Sequence, residues 1–528
     1  MFDRNGLRKA AALTLPLALV TGRGSLPGPS PDKAHTLVVG TTSAPSSLDP
    51  AAAWDGSWEL YRNIYQTLMT LPNTGTSPEP DAARNCGFTD AAGKVYRCVL
   101  RKGLTFSSGR PLDAEAVKHS FDRTVSPANP SGPARLLSNL ARVEAKGART
   151  VVFRLRKPDA TFPFILSTPA TSLVDPRDHL RSGLSRSGTA TGSGPYTLES
   201  YEPGERAVLA RNPDYRGPAR LRNDKVTIRY YERSTRMAGD LKAGRIDLTY
   251  RGLTPSQITA FQDAVTAGDE SVQLSEMTGS EIHYLVFNPK EKPAAEPAVR
   301  RAIAQLVDRE KLVREVYDRT AEPLYSMVPT GVTGHTNAFL DRYGKPDAHK
   351  ARRTLRDAGI TRKVRLTLWY PRGRYGDSTR REFAELEQQL EDSRLFAVTL
   401  RSRPWDAFQK GYLKGEYPVF GRGWSADFPD ADNYLTPFVG EGNAVGTPYR
   451  NRRLTEELLP RSRRQTDRGA AGRAYAEAQR LMADDARLLP LWQGKVYIAS
   501  EKDVAGVEWA IDSSVIMRMW ELYKKSSW

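Results

Sequence analysis

Cysteine and histidine are scarce: the 528-residue chain holds 2 Cys and 6 His. Two cysteines exclude a disulfide-framework fold and any zinc module built on several thiolates. No His-Glu-x-x-His is present, which excludes the metalloprotease helix. Gly-x-Ser-x-Gly and a Gly-rich loop ending in Gly-Lys-Ser/Thr are also missing, so neither a nucleophile elbow nor a phosphate cradle is expected. No apolar run approaches the ~20 residues that cross a bilayer. No repeat at a solenoid period is visible. Acidic residues are in deficit, with 61 Asp+Glu against 78 Lys+Arg and a net charge of +17. That excess fits a nucleic-acid partner, an anionic surface, or no partner at all. The basic residues are interleaved with acids along helices rather than gathered in one patch, which speaks against nucleic acid.

What is present describes a folded, exported chain. Hydrophobic residues make up 39% and aromatics 9%, a composition that a disordered chain lacks. The length suits two to four domains at roughly 150 residues each. At the N-terminus, Arg4, Arg8 and Lys9 precede the short apolar run 10–20, and small residues follow. This is the layout of a secretory signal. Residues 1–22 are read as the signal segment and 23–34 as a Pro/Gly/Ser-rich linker. The stretch Val20-Thr21-Gly22-Arg23-Gly24 resembles a lipoprotein box in which Arg23 stands where the lipidated Cys belongs. Arg23 has no thiol, so lipid anchoring there is not expected. The chain is expected to work outside the cytoplasm, at the cell surface, secreted or periplasmic.

The two cysteines fit that setting. Around the turn Asp90–Lys94, the flanks read as a hairpin. Reflection about Ala92 pairs Phe88 with Tyr96 and Cys86 with Cys98. Opposed residues on one face of a hairpin lie within disulfide reach, so a Cys86–Cys98 bridge is predicted.

Further along, Thr36–Gly40 reads as a strand and 57–69 as a helix. Asp113 caps a helix starting at Ala114. Val151–Leu155, Tyr196–Leu198, Ala207–Leu209 and Val226–Tyr230 read as strands, and 181–194 as a loop. In the second half, 297–318, 347–358, 378–392, 404–414 and 452–486 are expected to be helical. Residues 364–370, 396–401 and 417–420 are expected to be strands. The mixture predicts an α/β protein with several sheets.

Six segments in order carry a resemblance. They run from Leu37-Val38-Val39-Gly40 with Ser47-Leu48-Asp49-Pro50, through Leu100-Arg101-Lys102-Gly103-Leu104, to Gly194-Pro195-Tyr196 with Arg211-Asn212-Pro213-Asp214-Tyr215. Val299-Arg300-Arg301-Ala302-Ile303, Gly423-Trp424-Ser425-Ala426-Asp427 and Leu489-Pro490-Leu491-Trp492 complete them. Together they resemble the extracytoplasmic solute-binding proteins of family 5, the dipeptide/oligopeptide/nickel class that feeds ABC importers. The resemblance covers residues 36–525 and is nearest to the oligopeptide-binding members.

The resemblance implies a two-lobed periplasmic-binding-protein-like fold with an extra domain. The ligand is buried between lobes that close about a hinge. Lobe I is expected from 35–66, 190–285 and 490–528, the extra domain from 67–189, and lobe II from 286–489. Neither a metal nor a cofactor is implied. The implied partners are an oligopeptide or other small solute, the permease subunits and their ATPases, with the protein itself a monomer and no nucleic acid bound.

Site residues follow by position. Asp427 matches the acid that receives a peptide's α-ammonium, and a buried ammonium needs such a carboxylate. Arg422 matches an arginine used in some relatives on the ligand carboxylate, which its planar fork suits. Trp54-Asp55-Gly56 matches the segment whose backbone pairs with an extended peptide. Trp405 and Trp424 match pocket-lining aromatics, and His283 and Tyr284 lie on a strand bordering the cleft. Nickel chelates, sugars, antibiotic fragments and signalling peptides stay open as ligands of the same fold. An exported hydrolase is the competing class, and no motif here sets a base beside a nucleophile. Two local patterns are rejected. Gly421-x-Gly423-x-x-Ala426 runs into Asp427-Phe428-Pro429, which cannot open a dinucleotide-binding helix. Asp430-x-Asp432-Asn433 lacks the glycine and distal glutamate of a calcium loop.

Overall fold

In the computed structural model, residues 36–126, 132–181, 183–185 and 188–525 are described. The signal segment, the linker and Arg23 lie outside the described residues. Among the described residues, no helix is long and apolar enough to cross a membrane.

The strands form several sheets, as expected, and one large sheet organises the molecule. Ten strands lie side by side, in the order Phe396–Pro404, Val364–Arg372, Val419–Trp424, Val272–Phe287, Leu488–Glu501, Leu248–Tyr250, Thr36–Thr41, Lys225–Tyr230, Arg206–Arg211 and Tyr196–Glu202. An eleventh, Ala321–Pro323, adds to Leu488–Glu501. The two central strands, Val272–Phe287 and Leu488–Glu501, are 16 and 14 residues long and antiparallel. The early half of the first pairs Val272 through Thr278 with Glu501 through Lys495, the late half of the second. The late half of the first pairs Ile282 through Val286 with Gln493 through Leu488, the early half of the second.

Between these halves the register slips, at Gly279–Glu281. Gly279 is needed there because a Cβ at this position would lie 2.3 Å from the Gly494 carbonyl oxygen. Gln493 holds the irregular turn, donating to the Gly279 carbonyl at 2.8 Å and accepting from the Thr330 N–H at 2.8 Å. Bulges of this kind bend and twist a strand pair.

A separate four-stranded sheet runs Ala83–Phe88, Val95–Leu100, Thr150–Leu155, Leu140–Lys146. Its first hairpin has the expected register, with Phe88 opposite Tyr96 and Cys86 opposite Cys98. The Asp90 carboxylate closes the turn on the Lys94 and Val95 N–H groups. Cys86 and Cys98 are disulfide-bonded, their Cα atoms 4.1 Å apart. Helix Ala114–Thr124 packs on this sheet, started by Asp113, whose carboxylate accepts from the Ala116 N–H at 2.9 Å.

The apolar core falls into clusters. One joins Leu37, Tyr61, Leu209, Val226 and Leu248 to Ile498 and Met517 from the far end of the chain. A second joins Leu100, Phe121, Val151 and Phe153, and takes in Phe428. Two more fill the region from Ile282 to Trp492.

Several expected elements differ in extent. The helix read over 57–69 ends at Ile64. Gly194 seats its N–H on the Ile64 carbonyl at 3.1 Å, an approach so close that a Cβ there would lie 2.6 Å from the Ile64 carbonyl carbon. The helix read over 297–318 is two, Pro297–Ala304 and Arg309–Val316, because Asp308 caps a new start on the Lys311 N–H. The stretch 452–486 also divides, with its long helix at Gly472–Asp485. Arg468, in the gap, turns inward to pair with Asp430. The strand read over 417–420 is Val419–Trp424 instead.

Candidate functional site

Strand Val419–Trp424 sets the register of the site. Pairing with Val272–Phe287 places Trp424 opposite Ile282, Gly423 opposite His283 and Arg422 opposite Tyr284. Side chains alternate along a strand, so Arg422 and Trp424 share one face. Beyond Trp424 the chain leaves the sheet and returns as the short helix Asp432–Leu435. Asn433 ties this excursion together. Its side chain accepts from the Asp427 N–H at 3.1 Å and donates to Asp427 Oδ2 at 3.1 Å. Its carbonyl accepts from Trp424 Nε1 at 3.0 Å.

The other Asp427 oxygen faces a distant part of the sequence. Trp54 Nε1 donates to Asp427 Oδ1 at 2.7 Å. Asp427 is 8% exposed, and among the described residues no Lys, Arg or His lies within ion-pair reach. Burial pushes its carboxyl up to about 6, although the bonds from Asn433 and Trp54 pull the other way. Its neighbours are treated differently. Asp430 is paired with Arg468 at 2.7 Å and Asp432 with Arg463 at 2.7 Å. Those pairs also dispose of the calcium-loop pattern, since both acids are matched by arginine. Among the described residues, no group of His, Cys, Asp and Glu is arranged to hold a metal.

Arg422 is the reverse case. Its guanidinium lies 4.7 Å from the Tyr412 ring centre and donates through Nη1 to the Ala444 carbonyl. Its Nε is buried without a hydrogen-bond partner, as is the Tyr284 hydroxyl. Among the described residues, no carboxylate lies within 4.0 Å of Arg422.

His283, on the opposite strand face from Tyr284, stacks on Trp492 with ring centres 3.8 Å apart. Its Nε2 meets Glu281 Oε1 at 2.9 Å, and its ring meets Tyr375 edge-on at 4.7 Å. Loss of water around Glu281 raises its carboxyl, but His283, Arg251 and Arg374 outweigh this and hold it below the ordinary carboxylate range. Tyr375 continues to Trp405, at 6.0 Å, and the Arg374 guanidinium lies 5.2 Å from the Trp405 ring centre. The result is an aromatic wall, Trp492–His283–Tyr375–Trp405, edged with charge.

The expected residues therefore fall into three groups. Trp54, Asp427 and Trp424 are joined through hydrogen bonds around Asn433. Arg422 and Tyr284 form a cationic, partly unsatisfied spot beside them on the same strand pair. His283 and Trp405 belong to the aromatic wall. Asp55 stands apart from all three. It is exposed, and its carboxylate bonds Ser46 Oγ at 2.5 Å and the Ser57 N–H at 2.8 Å. With the Asp55 and Gly56 carbonyls accepting from Trp58 and Glu59, the segment starts the helix Ser57–Ile64.

Sequence reading missed Asn433, Glu281, Tyr375, Arg374 and Trp492. Glu281 was detectable, because it sits two residues before His283 on the same strand face. Asn433 lay inside the pattern dismissed as a failed calcium loop.

Residues 77–446 match the family model described as bacterial extracellular solute-binding proteins, family 5 Middle. The chain is 27% identical over 488 residues to the probable D,D-dipeptide-binding periplasmic protein DdpA of Escherichia coli (strain K12), covering 89% of this chain and 90% of that protein. It is 26% identical over 486 residues to the glutathione-binding protein GsiB of the same strain, covering 90% and 92%. Among solved structures it resembles the periplasmic binding protein DppA from Helicobacter pylori in complex with the peptide STSA. That match has a TM-score of 0.77 and 23% identity, and covers 93% of this chain and 98% of that one.

Proposed function

Because the chain belongs to the family 5 bacterial extracellular solute-binding proteins, we propose that it captures a short peptide outside the cytoplasmic membrane and hands it to an ABC permease driven by cytoplasmic ATPases. It acts as a monomeric binding protein and not as an enzyme. The proposed lobes are 35–66 with 190–285 and 490–528 on one side and 286–489 on the other, with 67–189 packed as an extra domain. Closure turns on the chain crossings near 285 and 490. Ligand favours the closed form because only there does it touch both lobes.

One observation carries the peptide reading. Of three acids within six residues, Asp430 and Asp432 have arginine partners, while Asp427 has only neutral donors, one of them Trp54. A buried carboxylate without a cation is costly, and a peptide ammonium restores the balance. In this reading Arg422 offers the complementary charge to a ligand carboxylate. Trp405, Trp424, His283 and Tyr284 border the cleft, and the Trp54–Gly56 backbone runs beside the peptide. The names of DdpA, GsiB and the peptide-bound DppA support the same solute class.

The test is calorimetry of the purified protein against a peptide panel, guided by mass spectrometry of any ligand carried through purification. The leading peptide is then N-acetylated, which removes the ammonium. Binding is expected to fall by about 30-fold to several thousandfold, since about 2–5 kcal/mol rides on a buried charge pair. Undiminished binding of the acetylated peptide overturns the proposed role of Asp427.

A further inference from the structure

A cavity of about 380 Å³ lies apart from the Asp427 group, where the helix Ser57–Ile64 meets the stretches 70–81, 195–222 and 518–521. Neither Asp427, Arg422, His283 nor any of their partners lines it. Two of its lining side chains are buried arginines, Arg62 at 6% exposure and Arg518 at 2%.

Both are incompletely satisfied. Arg518 donates to the Leu71 and Trp509 carbonyls, yet its Nε has no hydrogen-bond partner. Among the described residues, no carboxylate lies within 4.0 Å of Arg518. Arg62 donates to the Ser167 carbonyl at 2.9 Å. Its Nε is ion-paired with the buried Asp512 Oδ2 at 3.6 Å but makes no hydrogen bond. Two more arginines, Arg220 and Arg222, line the cavity and are exposed at its mouth.

The acids in the lining do not cancel this. The Asp81 carboxylate is already engaged by Gln66 at 2.9 Å and the Thr67 N–H at 3.2 Å. Glu521 accepts from Trp520 Nε1 at 3.1 Å, and Glu79 is exposed. A buried guanidinium without an anion, as at Arg518, is costly, and planar donor forks match carboxylate and phosphate oxygens. The volume falls at the small end of ligand pockets, which run from about 300 Å³ upward.

We propose that this cavity is a second ligand site, distinct from the peptide cleft, which holds a small solute by an oxyanion group, either a carboxylate or a phosphate. Arg62 and Arg518 form its base and Arg220 and Arg222 its entrance.

The experiment is calorimetry on the full chain with succinate and inorganic phosphate as separate probes. One of them is expected to bind at about one equivalent, and which one binds more tightly identifies the group recognised. Arg518 is buried, so removing it threatens the fold. The discriminating variants are therefore Arg222→Glu at the mouth and Ala219→Trp, which fills the space. Each is expected to weaken the probe at least tenfold, while Asp427→Asn leaves it unchanged. Three results overturn the site. They are no binding of either probe at millimolar concentration, unchanged binding in both variants, and binding lost in Asp427→Asn.

Discussion

The Trp54 indole N–H and the Asp427 carboxylate meet at 2.7 Å across 373 residues of sequence. Trp54 belongs to the N-terminal segment whose neighbours build one apolar cluster with the C-terminal strand. Asp427 belongs to the excursion after Val419–Trp424. This bond therefore fastens together parts of the molecule that the sheet alone holds only through its central strands. It also presents the buried acid with a donor that carries no charge.

Replacing Asp427 with Asn tests the charge with little change in shape. The amide oxygen can still accept from Trp54. Peptide affinity is expected to fall by about 2–5 kcal/mol, the cost of breaking a buried charged pair. Equal calorimetric affinities for the two proteins would remove Asp427 from the site.

The pH dependence has a definite sign. Burial lifts the Asp427 carboxyl to about 6, above its ordinary value of 3.8. In the ligand-free protein, this group's stabilising contribution is present below the ordinary carboxylate range and is lost as pH rises through about 6. Binding of an ammonium runs the opposite way, because it requires the ionised form. Affinity is expected to drop about tenfold per pH unit below 6 and to be flat above it. Titrating affinity from neutral pH downward checks this, and Asp427→Asn should show no such slope.

Trp54→Phe keeps the ring and deletes the N–H. A hydrogen bond to a charged group contributes about 1.5–3 kcal/mol. The variant is expected to lose stability by up to that amount in denaturant titrations. The inflection of the affinity–pH curve should also move upward, since Asp427 loses one of the two donors that favour its ionised form. An unmoved inflection would mean that the bond does not act on the carboxylate.

Gly279→Ala addresses the crossing strands. Its Cβ would sit 2.3 Å from the Gly494 carbonyl oxygen, a backbone atom with no side-chain freedom to yield. The cost is expected to be about 1–3 kcal/mol, typical of overpacking. Small-angle scattering with and without ligand should show an altered change in radius on binding, because the register slip occurs at this point.

The Cys86–Cys98 bridge closes a short loop of the hairpin. By chain entropy it contributes about 3 kcal/mol. Cys86→Ser with Cys98→Ser is expected to lower the midpoint of thermal unfolding, and reductant should then have no further effect. Alkylation of both thiols in the unreduced wild type would show that the bridge does not form.

The hairpin was legible because its signals are local. Asp90, Gly93 and Lys94 mark the turn, and reflection about Ala92 then places Cys86 against Cys98. Asp113 was legible for the same reason, since a cap acts within three residues. Asp427 was found through resemblance, and the contrast with Asp430 and Asp432 was not. That contrast depends on Arg463 and Arg468, which reach back 31 and 38 residues. The aromatic wall was half visible: Trp405 and His283 were named, but Tyr375 and Trp492 join them only through pairings with no local signature. Nor did the sequence indicate the length of Val272–Phe287. Residues such as Gln273, Ser275, Glu276 and Thr278 look like loop, and only pairing with Leu488–Glu501 makes them strand.

Leu488–Glu501 has a consequence for how the molecule comes into being. It lies close to the end of the chain, yet it occupies the middle of the sheet. Without it, the strand order separates into four strands on one side and five on the other. A ribosome must therefore have made nearly the whole polypeptide before the two groups can be zipped together, and such long-range pairing is intrinsically slow. The emerging chain cannot complete its central sheet early. A truncation between Trp424 and Leu488 would release two unjoined sheet fragments with open edges, the kind of surface that aggregates.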